Sequence, residues 1–334
     1  MFKIDKLEGF TIISIERSDI KVSFLDYGAT IYDLKTKDKN GIFESIVLQY
    51  ENIKDYLKNT IYLNGTIGPI AGRVKKGVVE TKDSNYQLTL NSGGKDTLHS
   101  GDLALTFKVF DFDIEESANN TKIRFFYNEK SIVDYNLTVE YLVYDDRIVI
   151  NYDLVSFDDF IFSLTNHAYF NLSGNLNSNI LSHQVQLSSN KRHLLGEDLL
   201  ITNQISETDL YDFQSLRAVE STITLLSKTP KGGVDDIFFF PFNKVDKPMA
   251  KVFEPNSKRL LEVYSTYDHM VFYSHNNINE SKLRFLEKHE RHFALCFECQ
   301  KSPYGFNNKD ASTSYLQKNR RYFESIIYKF SVLE

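Results

Sequence analysis

The chain has 334 residues, 42% of them apolar and 25% charged, with a formal net charge of −6. This is an ordinary composition for a folded globular protein, and it supports a sizeable core. The mild negative charge disfavours nucleic acid, whose phosphates call for a basic surface, and no stretch approaches the roughly 18 uninterrupted apolar residues of a membrane-spanning helix.

The opening segment, "MFKIDKLEGFTIISIERSDI", has no long apolar run and does not read as a signal peptide. A cytoplasmic protein is expected. Strand-like runs rich in Val, Ile, Tyr, Phe and Thr follow almost throughout, with polar or turn-forming stretches between them. "KVSFLDYG" is an early example and "YQLTL" a later one. The best helical pattern, "ENIKDYLKN" from Glu51 to Asn59, is short. In "NGTIGPIAGRVKKG", three glycines and a proline precede Arg73. The backbone bends there, and a guanidinium stands either on the surface or beside a ligand. "GGKDTLHSG" puts His99 in a Gly-rich turn, where a histidine is commonly just solvated.

Further along, "LTVEYLVYDDRIVINYDL" reads as a hairpin around Asp145 and Asp146. "FSLTNHAYFNLSG" then places a histidine in an apolar and aromatic run. As a strand, it would put Ser163, Thr165, His167 and Tyr169 on one face and Phe162, Leu164 and Ala168 on the other. His167 is then either a hydrogen-bonded core residue or part of a polar-aromatic wall suited to a polyol. Asp235, in "KGGVDDIFFF", is a turn acid before an apolar run. In "RHFALCFECQ", Glu298 either emerges into solvent or is desolvated as a general base. Cys296 and Cys299 lie three apart on an expected strand, so they should face opposite ways and form neither a redox pair nor half a zinc site. Two thiols fit a reducing compartment.

With no linker, composition break or fixed repeat, residues 1–334 read as one large all-β domain of packed antiparallel sheets with few short helices. The ionisable set is one carboxylate base, two histidines, one arginine and a further acid. No H-x-x-x-H spacing, phosphate-binding Gly loop or G-x-S-x-G elbow accompanies it. Proton transfer on a neutral polar substrate, without metal or cofactor, is the chemistry such a set suits.

These residues also carry a resemblance. "GPIAGRVKKG" is similar to the G-R-x-A-N-R-I-x-x-G motif of the aldose 1-epimerases, or galactose mutarotases. "DTLHSG" is similar to their N-x-L-H-G-G, and "LTNHAYFNLSG" matches L-T-N-H-x-Y-F-N-L-x-G closely. "GGVDD" resembles G-G-x-D-H, and "FECQKSPYGFN" resembles L-E-T-Q-x-x-P-D-x-x-N. The order is the family's, and weaker similarity runs from about Lys21 to Phe330. The resemblance implies a single β-sandwich with an open sugar cleft and interconversion of the α and β anomers of a free aldohexose. By motif position, His167 would be the general acid and Glu298 the general base, with His99 assisting at the ring oxygen. Arg73 and Asp235 would bind hydroxyls, and Tyr169 and Phe170 are candidate stacking surfaces. At ordinary pKa values, a glutamate near about 4.3 is ionised and a histidine near about 6.5 partly protonated at neutral pH. The chain departs from the motifs at Pro69, Gly72, Ser100, Asp236, Cys299 and Tyr304. A hexose 6-phosphate substrate would need further cations, for which Arg192 and Arg217 are candidates. A catalytically silent sugar-binding protein is another alternative. The expected partner is a small sugar, and the expected state a monomer or homodimer.

Overall fold

Alternation of apolar and polar residues becomes antiparallel sheet in the computed structural model, which describes residues 1–333 apart from 83, 197, 208, 242–244, 279–280, 288–289 and 303–313. Three larger sheets dominate. A five-stranded sheet runs in chain order from Phe2–Leu7 to Phe43–Ser45, a nine-stranded sheet forms the centre, and a second five-stranded sheet carries the site. Every strand pair of these sheets among the described residues is antiparallel, as the sequence predicts.

The nine-stranded sheet shows why alternation works. Tyr135–Val143 and Arg147–Ser156 each bury every second residue. They pair around the expected Asp145–Asp146 turn, with Val143 opposite Ile148. The buried face contributes Val139, Tyr141, Ile150 and Tyr152 to one large core cluster. Phe24 of the N-terminal sheet packs on Tyr141 in that cluster, with ring centroids 4.5 Å apart. Phe238, Phe272 and Phe297 of the site sheet join the same core. Burial of such side chains contributes roughly 1.5–3 kcal/mol each before chain entropy is counted.

Three local expectations change. The Glu51–Asn59 pattern yields only a 3-10 turn, Ile53–Leu57, capped by the Asn52 side chain on the Lys54 N–H. The only α-helix among the described residues is Glu220–Leu226, which the periodicity did not reveal. The Phe162–Gly174 run is not one strand. Only Thr165–Asn166 pairs regularly, with Ile67 and Thr66, while the remainder threads between the sheets through isolated bridges. Its residues are so thoroughly enclosed that tertiary hydrogen bonds replace a ladder, for example Tyr169 N–H to Asn64 Oδ1 at 2.9 Å.

In the site sheet the strand order is Ile201–Ser206, Arg192–Leu195, Asp235–Phe239, His269–Tyr273 and Cys296–Gln300. Register aligns Ile237 with Val271 and Val271 with Glu298. One row away, Asp235 aligns with Tyr273 and Tyr273 with Cys296. The row on the opposite side of Glu298 runs Phe239, His269, Gln300. Alternation thus presents Cys296, Glu298 and Gln300 on one face and turns Phe297 and Cys299 into the main core. The two cysteines are free and belong to different apolar clusters, as their spacing predicts. No described helix is long and apolar enough to cross a membrane.

Candidate active site

A single cavity gathers Arg73, His99, His167, Tyr169, Asp235 and Glu298. These six positions span most of the chain, so only the fold brings them together. Arg73 and His99 come from a short strand pair, Arg73–Val74 with Thr97–Leu98. Gly72, at φ +89°, turns the chain into that pair in a conformation that glycine adopts without a Cβ penalty. Beyond the pair, His99 N–H donates to the Gly72 carbonyl at 3.0 Å, and Gly72 N–H donates to His99 Nδ1 at 3.1 Å.

The second bond sets the tautomer. With Nδ1 accepting, the neutral His99 ring carries its proton on Nε2 and is a hydrogen-bond donor. Burial, together with the neighbouring His167 and Arg73, holds its pKa well below the usual imidazole range. One ligand atom from each of His99, His167 and Glu298 lies within 4.8 Å of the other two, a grouping compatible with a cation. A ring protonated on Nε2 has no lone pair to give there, so the donor set fits proton transfer better than metal ligation.

His167 Nε2 stands 3.4 Å from Glu298 Oε1, and the two residues are 6% and 3% exposed. The His167 ring lies against Tyr169, nearly parallel, with centroids 4.8 Å apart. Tyr169 is anchored in turn by its hydroxyl, which donates to the Ile61 carbonyl at 2.9 Å. This enclosure changes the proton balance expected from ordinary pKa values. Burial, reinforced by the Asp235 carboxylate and opposed by Arg73, pushes Glu298 up to about 8. Burial pulls His167 down to about 4. At neutral pH, therefore, the glutamate holds the proton and the imidazole is neutral. The reason is desolvation, which penalises whichever form is charged.

Asp235 opens the strand beside Tyr273, and burial raises its carboxyl against the pull of Arg73. The next residue, Asp236, is wholly buried and faces away from the cavity. It accepts from Arg192 Nη1 at 3.0 Å and from Lys231 Nζ at 2.7 Å. Arg192 is thereby committed, and its guanidinium also covers the Tyr211 ring. Arg217 bonds the Asp212 carbonyl and Ser221. Neither arginine reaches the cavity, where Arg73 is the only lysine or arginine among the described lining residues. Of the expected polar face, only His167 and Tyr169 line the cavity; Ser163 instead accepts the Lys301 N–H at 3.1 Å. Phe170 packs on Tyr328 in the main core, not on the cavity. Tyr304 lies outside the described residues.

Sequence reasoning overlooked Tyr62, Tyr273 and Gln300, all of which line the cavity. Gln300 had a legible signal, since it shares the strand face of Glu298. Tyr62 and Tyr273 had none, because they reach the cavity from separate segments. Leu195, Leu199, Leu200 and Ile201 add an apolar shoulder at the far side of the sheet.

The aldose 1-epimerase family profile matches residues 11–329. The chain belongs to the aldose 1-epimerase family. Mouse galactose mutarotase is 29% identical over 324 residues, covering 95% of this chain and 93% of that protein. The aldose 1-epimerase of Streptococcus thermophilus is 26% identical, with 92% of this chain and 90% of that protein covered. The fold is also that of the galactose 1-epimerase of Lactobacillus acidophilus, at a TM-score of 0.85 and 22% identity, with 100% of this chain and 99% of that structure covered. Aldose 1-epimerase membership makes the chain an isomerase by family and gives a sugar as its substrate class.

Proposed function

We propose that this protein interconverts the α and β anomers of a free aldohexose such as glucose or galactose. The observation that carries the reading is the 3.4 Å approach of His167 to Glu298 inside a buried cavity. In a cyclic aldose, the anomeric hydroxyl and the ring oxygen are bonded to the same carbon. A base for one and an acid for the other must therefore be close neighbours.

Ring opening transfers the O1 proton to the Glu298 carboxylate while the His167 imidazolium protonates the ring oxygen. The C1–O5 bond breaks and the C1–O1 double bond forms. Rotation about C1–C2 and closure with the roles reversed complete the exchange. Between about pH 4 and about pH 8 the pair holds one proton, which rests on Glu298 before a sugar binds. A sugar hydroxyl donating to Glu298 favours the carboxylate and moves that proton across the contact to His167. His99, a fixed Nε2–H donor, supports the ring oxygen. Arg73 and Asp235 bind hydroxyls. A single cation in the described wall suits a neutral sugar better than a hexose 6-phosphate.

Polarimetry of freshly dissolved α-D-glucose and α-D-galactose tests the reading. Glu298→Gln and His167→Ala should each slow anomer exchange by about a hundredfold or more. Normal relaxation in either variant removes that residue from the proton transfer. Sugar binding without faster exchange by the wild type would make the protein a binder instead.

A further inference from the structure

Gln300 has no part in the proton transfer, yet among the described residues it is the least satisfied polar group at the cavity. Its side chain is fully buried, and neither amide atom has a hydrogen-bond partner among the described residues. A buried donor or acceptor left unpaired loses its hydration without compensation. Its neighbour across the sheet, His269, offers no relief: Nδ1 is held by Asp268 at 2.7 Å and Nε2 by His193 at 3.0 Å. Gln300 lines the cavity, so a bound molecule is the partner that would satisfy both atoms. An amide offers a donor and an acceptor together, which is what a hydroxyl group can pair with.

Register indicates which hydroxyl. His167 stands on the Tyr273 side of Glu298, with ring centroids 6.3 Å apart, and Tyr273 is opposite Cys296. Gln300 is two residues beyond Glu298 in the other direction, about 7 Å along the strand. At an anomeric carbon the ring oxygen lies to one side and C2 to the other. With the ring oxygen at His167, C2 faces Gln300. Building on the mutarotase reading, we propose that Gln300 binds the 2-hydroxyl of the substrate and makes the site selective for aldoses with a free hydroxyl at C2, against 2-deoxy and 2-acetamido sugars.

The test compares kcat/KM for glucose and 2-deoxyglucose, with galactose and 6-deoxygalactose as a second pair. Wild type should favour glucose over 2-deoxyglucose by at least about tenfold, since a site built around a hydroxyl leaves its own groups unpaired without it. Gln300→Leu should lower the glucose value about ten- to a hundredfold and change the 2-deoxyglucose value far less, so that the preference collapses. The galactose to 6-deoxygalactose ratio should hold. Gln300→Met, a linear replacement, should behave alike. Both variants should melt no lower than wild type, because they remove orphaned buried atoms. Equal losses on glucose and 2-deoxyglucose would make Gln300 merely structural and overturn the proposal, as would collapse of the 6-deoxy ratio instead. Failure of wild type to accelerate any of these sugars would overturn the mutarotase reading itself.

Discussion

His167 and Glu298, 131 positions apart in sequence, meet at 3.4 Å in a buried cavity with their proton affinities inverted relative to solution. A carboxyl pushed up to about 8 and an imidazole pulled down to about 4 make one unit that carries a single proton across the neutral range.

That unit predicts a bell-shaped pH profile of kcat/KM. Below about pH 4 both groups are protonated and no base remains; above about pH 8 both are deprotonated and the pair has no proton to give. Initial rates by polarimetry, corrected for the uncatalysed reaction, should fall on both sides. A rate that keeps rising past pH 9, beyond the upper limb near 8, would show that ionised Glu298 works with a different acid.

Stability should carry the same signature. The folded pKa of Glu298, about 8, exceeds its ordinary 4.5, so the folded chain retains a proton that the unfolded chain releases. The contribution is present below pH 4.5 and is lost as pH rises toward 8. Glu298→Gln cannot ionise. Its stability advantage over wild type should grow from small at pH 4.5 to on the order of a few kcal/mol at pH 8.5. Urea unfolding at the two pH values measures it. An advantage independent of pH would mean that burial does not raise this carboxyl.

Asp236 is predicted to matter for folding before catalysis. Its carboxylate neutralises Arg192 and Lys231 in a buried setting. Asp236→Ala strands the Arg192 charge and should cost roughly 3–5 kcal/mol. A urea midpoint close to wild type would show that Arg192 finds another partner or water.

Gly72→Ala should combine a stability cost with a functional one. A non-glycine residue at φ +89° costs about 1–2 kcal/mol, and relaxing that strain shifts the N–H that holds the His99 tautomer. Denaturant titration should show the stability loss, and anomer exchange should slow in parallel. Full activity with the stability loss alone would separate His99 from its Gly72 contact.

The strands were legible because period-two burial is written directly into runs such as Tyr135–Val143. The opposite facing of Cys296 and Cys299 followed from the same rule. The Phe162–Gly174 run broke it. There the chain is enclosed on every side, so alternation no longer sorts residues into a wet and a dry face, and Ser163 and Phe170 turned away from the cavity. The short 3-10 turn at Ile53–Leu57 reflects a pattern too brief to sustain helical propagation.

By itself, then, the amino-acid order determined the antiparallel all-β character, the motif series of the aldose 1-epimerase family and the side chains able to move protons. Tertiary structure alone decided that His167 and Glu298 touch, that Arg192 serves Asp236 rather than a ligand, and which of the pair holds the proton. Side-chain alternation is local and survives in one dimension. Contact and desolvation depend on what every distant segment places around a group, and they set the charge on Glu298.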